Sequence, residues 1–272
     1  MLGLGLNINN IKNLCGGGFY PDAQAYFAAV ETAGGSLTTT ERSAFNAWFL
    51  DGVENGWLDS MKAVNFFYGS SVSQVSINVV NPSTYDLINN NFVDGDLDGD
   101  SIEANGTTKY FSYGASPEDI HDNPHSFYWY GLCKTPSTNG SYLMGSYSNT
   151  VSPSSYQLLN PSTTSRIRFF GNTLALRNQD VGTLAANSSI AISWENSSLS
   201  NLYRDGVLED AVVTLDTGVL SNEDMLLFFW NSLGTPSVGV DGKWKVAALG
   251  DNMNTTKHQA FDTACKTLIS NL

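Results

Sequence analysis

SSIAISWENSSLSNLYRDGVLEDAVVTLDTGVL, residues Ser188 to Leu220, is the stretch whose reading decides the fold. Ile190, Ile192 and Trp194 alternate with Ala191, Ser193 and Glu195, the period-two pattern of a half-buried strand. Asn201-Leu202-Tyr203-Arg204 follows, then Asp205-Gly206, then Val207-Leu208. Asp-Gly between apolar flanks predicts a tight hairpin, because a type I′ turn needs positive φ at both central residues. The rest of the chain reads as strands stacked onto this unit, with helices before and after it.

Composition agrees. The chain has 272 residues, of which 14% are charged and 12% are aromatic. Abundant Gly, Ser, Thr and Asn with aromatics suits many short strands joined by polar loops. The net charge of −13 opposes binding to nucleic acid or to an anionic membrane. No apolar run approaches the ~20 residues that span a bilayer. Cys15, Cys133 and Cys265 form neither a metal pattern nor a disulfide framework and read as free thiols. Lys12 is the first basic residue and follows the apolar start, so the chain does not open like a secretion signal.

In chain order, Leu2, Leu4, Leu6 and Ile8 alternate with Gly and Asn ahead of the Gly16-Gly17-Gly18 joint. Two readings stand: an edge strand of its own domain, or an arm that adds a strand to a partner's sheet. Residues 22–33 read as a helix with Ala23, Phe27 and Val30 on one face. Thr38 and Glu41 have capping-box spacing and open a helix carrying Phe45, Trp48 and Phe49. Gly56 to Met61 predicts a further helical turn. Strands are predicted at 63–68, 75–79, 109–113, 141–148, 156–159, 167–170, 173–177 and 226–230. Ser126 to Leu132 is almost wholly apolar and predicts a central strand buried on both faces. Trp244, Val246 and Ala248 alternate in a further strand. The chain ends in a helix with Phe261, Ala264, Cys265 and Leu268 on one face.

The strand, the Ser/Asn-rich link and the Tyr-x-Asp-Gly-Val-Leu hairpin resemble concanavalin A-like and laminin G-like β-sandwiches. A longer order of features is similar to a loose group of bacteriophage virion structural proteins with such a domain. It runs from MLGLGL through Pro21–Tyr26, Trp57–Val64 and Asn105–Tyr110 to His125 before an aromatic strand. The Tyr-Arg-Asp-Gly hairpin and a terminal helix complete it. The resemblance covers nearly the whole chain, and its strength lies in the order of the motifs. It implies a place on a phage particle, as a head-fibre, decoration or tail component, more securely than it implies a ligand.

Asp94-Gly-Asp96-Leu-Asp98-Gly-Asp100 is a candidate calcium loop, since alternating carboxylates before a turn can converge on one hard cation. Asn105 stands where the closing Glu belongs and Ser101 where an apolar residue is usual, so an acidic hairpin between strands is the competing reading. His121, Asp122 and His125 lie close together, but Pro124 breaks the helical spacing a metal pair needs. His258 has no partner in sequence. Asn187 and Asn196 open glycosylation sequons, which matter only in a secretory pathway. No strand carries the clustered acids of a sandwich glycosidase, no serine elbow is present, and the chain is read as non-enzymatic and without a cofactor. Tyr110, Tyr113, Tyr142 and Tyr147 lie beside polar turns, where exposed rings could stack on sugars.

The expectation is a mainly-β jelly-roll sandwich of the concanavalin A-like or laminin G-like kind, with an N-terminal helical segment and a C-terminal helix. Residues 1–18 are an arm and candidate virion anchor, 19–62 a helical segment packed on the sandwich, and 63–272 the sandwich with its terminal helix. The expected partners are other virion proteins through Leu2, Leu4, Leu6 and Ile8, further copies of the chain in an oligomer, and a host-surface glycan. The expected location is the virion. A glycan- or receptor-binding module of a tail fibre or bacterial surface is the alternative.

Overall fold

The computed structural model describes residues 18–121, 126–137, 142–148, 154–159, 166–169, 177–180, 184–196, 199–212 and 220–272. Leu2, Leu4, Leu6, Ile8, Cys15, Asp122 and His125 lie outside the described residues. The long helices among the described residues are α1 (Pro21–Thr32), α2 (Thr39–Glu54) and α3 (Thr255–Asn271), and short helical turns lie at Val72–Val75 and Pro117–Ile120. The first strands are β1 (Met61–Phe66), β2 (Ile88–Asn90), β3 (Ile102–Asn105) and β4 (Tyr110–Ser112). Then come β5 (Phe127–Thr135), β6 (Tyr142–Ser148), β7 (Ser154–Leu159), β8 (Arg166–Phe169) and β9 (Arg177–Asp180). The rest are β10 (Ser189–Asn196), β11 (Leu199–Arg204), β12 (Val207–Val212), β13 (Leu226–Leu227), β14 (Phe229–Ser232), β15 (Thr235–Gly239) and β16 (Asp241–Gly250).

Two seven-stranded sheets make a sandwich. Sheet I runs β1-β16-β5-β10-β11-β12, with β3 also on β16; sheet II runs β14-β15-β6-β13-β4-β2, with β7 also on β6. The helices cover the outer face of sheet I, so the molecule has three layers. Strand β5 shows why. Phe127, Trp129 and Cys133 point into the core between the sheets, while Tyr128, Tyr130 and Leu132 point into the core under the helices. The predicted central strand buried on both faces is therefore found. Gly131 sits where a Cβ would lie 2.5 Å from Leu143 of the opposite sheet, so β5 needs glycine there.

The capping box expected at Thr38 and Glu41 is found, whereas α1 opens at Pro21 with no side-chain cap and the cap of α3 is one the sequence reading does not include. Thr38 and Glu41 close a capping box at the start of α2, and Asn254 caps α3. Phe45, Trp48 and Phe49 are buried, and Trp48 and Trp57 pack on Phe261 of α3. The face Phe261, Ala264, Cys265, Leu268 is buried as expected.

Several expectations need correction. The segment around Val75, Ile77 and Val79 is not a strand. Ser71 caps a helical turn at Val72–Val75, and the buried Asn65 amide approaches the carbonyls of Val75, Ser76 and Ile77 at 3.0–3.4 Å. A side chain thus takes the bonds a neighbouring strand would have supplied. The described strands of the 188–220 stretch, β10 to β12, are not the centre of the fold but one side of sheet I, where β12 is the edge. Its hairpin is as predicted, with φ of 52° at Asp205 and 77° at Gly206. Strand β10 is not half-buried: Ile190, Ile192 and Trp194 face the inter-sheet core, while Ala191 and Ser193 are buried too. The apolar run 226–230 splits into β13 and β14 at Phe228, whose φ is 69°. The strand expected over 173–177 is described only from Arg177 onward.

His258 of α3 proves to be a buried junction. Its Nδ1 lies 2.7 Å from the Tyr128 hydroxyl, and its ring stacks on Tyr203 with centroids 4.0 Å apart. Beside it, the Tyr130 hydroxyl donates to Asp262 at 2.9 Å, and Lys266 bridges Asp262 and Asp205 at 2.9 and 3.0 Å. Burial pushes the His258 pKa down to about 4; Asp262 opposes this and Lys266 adds to it. A histidine whose folded pKa lies below its unfolded value leaves stability complete above about 6.5 and removes it as pH falls toward about 4. The full loss corresponds to about 3 kcal/mol. We expect melting temperature to drop across that window, and the H258Q variant to lose most of this dependence in the same melts.

Candidate functional site

The Asp94–Asp100 segment forms a one-turn 3-10 helix at Asp94–Asp96 and a narrow turn closed by a Leu97–Ile102 bridge. Its carboxylates diverge to separate partners. Asp94 accepts from the Val72 amide at 2.8 Å, and Asp96 pairs with Lys109. Asp98 meets Lys134 at 3.1 Å and Lys243 at 2.9 Å; Asp100 meets Lys134 at 2.7 Å and Lys245 at 2.8 Å. Hydrogen bonds from Lys243 and Lys134 hold the Asp98 carboxyl below the usual range. Burial opposes ionisation of Asp100, yet Lys134 and Lys245 still hold it low. Among the described residues no three His, Cys, Asp or Glu side chains could hold a metal ion together. Lysines from β5 and β16 stand where a cation would be needed to neutralise this loop.

The described histidines, His121 and His258, have separate surroundings. His121 is buried with Nδ1 3.7 Å from Asp251, and its ring lies against Phe127. His258 belongs to the α3 junction. The described thiols are buried, which pushes the Cys133 pKa up to about 11 and that of Cys265 well above its ordinary value.

Of the four tyrosines beside turns, Tyr113 is buried, and Tyr110 packs on Phe229 at 5.3 Å. The Tyr142 side chain lies outside the described residues. Tyr147 is partly exposed at the end of β6, with its ring 5.8 Å from that of Trp230. The parallel pairing of β14 with β6 brings them together, since Asn231 aligns with Ser146 and Ser232 with Tyr147. The Leu233 amide also donates to the Tyr147 carbonyl at 3.1 Å. Segment 221–224 runs along the same end. Ser146 bonds Ser221 at 2.7 Å and the Glu223 carbonyl at 2.6 Å, and Ser148 bonds Asn222. Asn231 Nδ2 donates to the Asp224 carbonyl at 2.9 Å.

At this end of sheet II, Tyr147 and Trp230 form a partly exposed ring pair on one face, while Ser146, Ser148 and Asn231 face the other side and hold segment 221–224. Tyr147 stands out in the sequence as an aromatic beside a turn. Trp230, Asn231, Glu223 and Asp224 do not, because Leu226–Trp230 reads as an unbroken apolar strand. The available signal was the Leu233-Gly234 turn, whose residues have φ of 55° and 78° and which closes the β14–β15 hairpin.

Neither a protein-family model nor a curated protein matches this sequence. Solved structures share its fold. A sialidase of Trypanosoma rangeli in complex with sialic acid superposes with a TM-score of 0.55 at 9% identity, over 84% of this chain and 39% of the sialidase. The same enzyme in its covalent complex with 2,3-difluorosialic acid gives 0.54 at 11% identity, over 77% of this chain and 33% of that one. This chain therefore spans between a third and two fifths of the sialidase chains it resembles. The likeness is one of architecture. It makes this protein a mainly-β sandwich of two sheets with helices at both ends.

Because each acidic side chain of the 94–100 segment already has a partner within the chain, we expect millimolar calcium to leave the melting temperature unchanged. A rise on titrating calcium into metal-free protein would instead show that the ion displaces the lysines.

Proposed function

We propose that this chain is a non-enzymatic β-sandwich recognition module whose ligand is a glycan. The observation that carries this is the Tyr147–Trp230 pair at the rim of sheet II, partly exposed on one face. Aromatic rings offer a flat apolar face to a sugar ring. The fold supports the reading, being shared with a sialidase solved in complex with sialic acid. A glycan array probed with the full chain and with W230A and Y147A tests it. Each variant should lose about tenfold in affinity, roughly the 1.4 kcal/mol of a stacked ring. Unchanged binding by both folded variants would place the ligand elsewhere.

The setting we propose is a phage virion. What favours it is the ordered run of motifs from MLGLGL to the terminal helix. In this reading residues 1–18 tether the chain to other virion proteins through Leu2, Leu4, Leu6 and Ile8, and copies assemble as an oligomer. Mass spectrometry of purified particles should then find the chain at a definite ratio to the major capsid protein, and deletion of residues 1–18 should remove it from particles. Its absence from particles would leave the glycan module without this setting.

A further inference from the structure

The two edges of sheet I differ. Along β1 the edge is closed. Asn78 Oδ1 accepts from the Val64 amide at 3.0 Å, the Val79 amide donates to the Val64 carbonyl at 2.8 Å, and the Asn65 side chain takes the carbonyls of Val75, Ser76 and Ile77. At the opposite edge β12 pairs, among the described residues, with β11 alone. It opens on two adjacent apolar residues, Val207 and Leu208, which are 58% and 40% exposed. Leu208 lies opposite Tyr203, on the face that α3 covers, so the apolar row of that face runs out past the last strand. The strand carries neither proline nor lysine, the residues that ordinarily blunt an edge. Its bulge at Glu209 bends the edge without covering it.

A segment of the chain matches this edge. Leu2, Leu4, Leu6 and Ile8 give it one apolar face, and Gly3 and Gly5 let it follow a bent edge. Residues 1–21 hold no carboxylate and one basic residue, Lys12, which leaves 26 acidic against 12 basic residues in the rest of the chain. Two such acidic bodies repel each other, whereas the arm approaches another copy without that penalty.

The arm starts on the side away from β12. Helix α1 packs on α2 through Tyr26 and Phe45, with ring centroids 4.9 Å apart, and Phe45 stands on Phe66 of β1 at 5.8 Å. Gly35, just after α1, lies against Gln74 beyond the β1 edge, where a Cβ would come within 3.0 Å. Helix α3 instead lies over β5 and β11, with Phe261 on Tyr130 at 5.1 Å and His258 on Tyr203 at 4.0 Å. Gly18, at the foot of α1, is therefore separated from the chain's own β12 by the helical layer and by five strand spacings, ~24 Å. Residues 9–18 reach ~35 Å at full extension, nearly all of which a detour over α2 and α3 consumes.

The geometry points to the β12 edge as the docking strand for residues 2–8 of a second copy of this chain. The arm's apolar face continues the Tyr203–Leu208 row, and backbone hydrogen bonds along β12 supply the affinity. Arm and edge lie on different sides of each copy, so the contact is head to tail and builds a ring or a fibre, not a two-fold dimer. This inference rests on the reading of residues 1–18 as an arm and of the chain as an oligomer, and names the partner and the surface.

The test is analytical ultracentrifugation of the full chain over a wide concentration range, unaltered and with L4K/L6K in the arm or V207K/L208K on the edge. Each variant is first shown to be folded by circular dichroism, with V207K alone replacing an edge variant that is not. The unaltered chain should form species larger than a dimer as concentration rises, and each variant should shift that assembly to at least about tenfold higher concentration. Mixing the two variants separates head-to-tail docking from other contacts, because one keeps its arm and the other its edge. The mixture should form a one-to-one dimer that grows no further. A full chain that stays monomeric, variants that assemble as the unaltered chain does, or a mixture without the dimer would overturn the proposal. A monomeric chain whose melting temperature falls in both variants would place the arm on its own edge and overturn the second copy as occupant. Incorporation into particles is a separate measurement, so the virion reading can fail while this one stands.

Discussion

Strand β5 carries large apolar or aromatic side chains on both of its faces, and a single strand cannot hide both from water. Sheet II covers Phe127 and Trp129, and the helices cover Tyr128 and Tyr130. Each buried aromatic contributes about 1.5–3 kcal/mol of apolar burial, so exposing either face would cost several such terms. The three-layer arrangement follows from that demand. The two tyrosines add a second condition, because their hydroxyls must find partners in a dry core. His258 and Asp262 supply them. The terminal helix is thereby fixed in rotation and height as well as pressed on the sheet, and Lys266 staples it to the β11–β12 turn through Asp205.

Charge is distributed with a similar economy. The sequence holds 26 acidic and 13 basic residues. Where side chains are described, the cations other than Lys257 are committed to carboxylates, most densely where Lys134, Lys243 and Lys245 meet Asp98 and Asp100. Such exposed pairs add little stability individually, but a network of them holds the acidic turn against the edge of sheet I. The surplus of carboxylates remains at other surfaces, the rim of sheet II among them. With one face of sheet I under helices and the other against sheet II, hairpins and irregular segments at the ends of sheet II carry exposed residues such as Asp224 and Leu233.

Much of this was legible in the residues. The Asp205-Gly206 hairpin, the capping box at Thr38 and Glu41, the terminal helix and the doubly buried β5 follow from local propensity and hydrophobic period. Readings failed where a distant group intervened. Asn65 turned the Val75–Val79 alternation away from a strand. Phe228 broke an apolar run that periodicity alone cannot divide. The partners of the acidic turn, Lys134, Lys243 and Lys245 on Asp98 and Asp100 and Lys109 on Asp96, come from elements no local pattern names.

The sequence by itself determined that the chain is mostly β, that helices precede and follow the strands, and that Ser126–Leu132 must lie at the centre as a strand buried on both faces. These depend on φ/ψ preferences and on how many apolar side chains one segment presents. The tertiary structure alone decided which layer covers which face, which cation answers which carboxylate, and that Tyr147 meets Trp230. Those pairings join residues dozens to over a hundred positions apart, and no local pattern encodes them. They are set by the register of strands whose order in the sheet differs from their order in the chain.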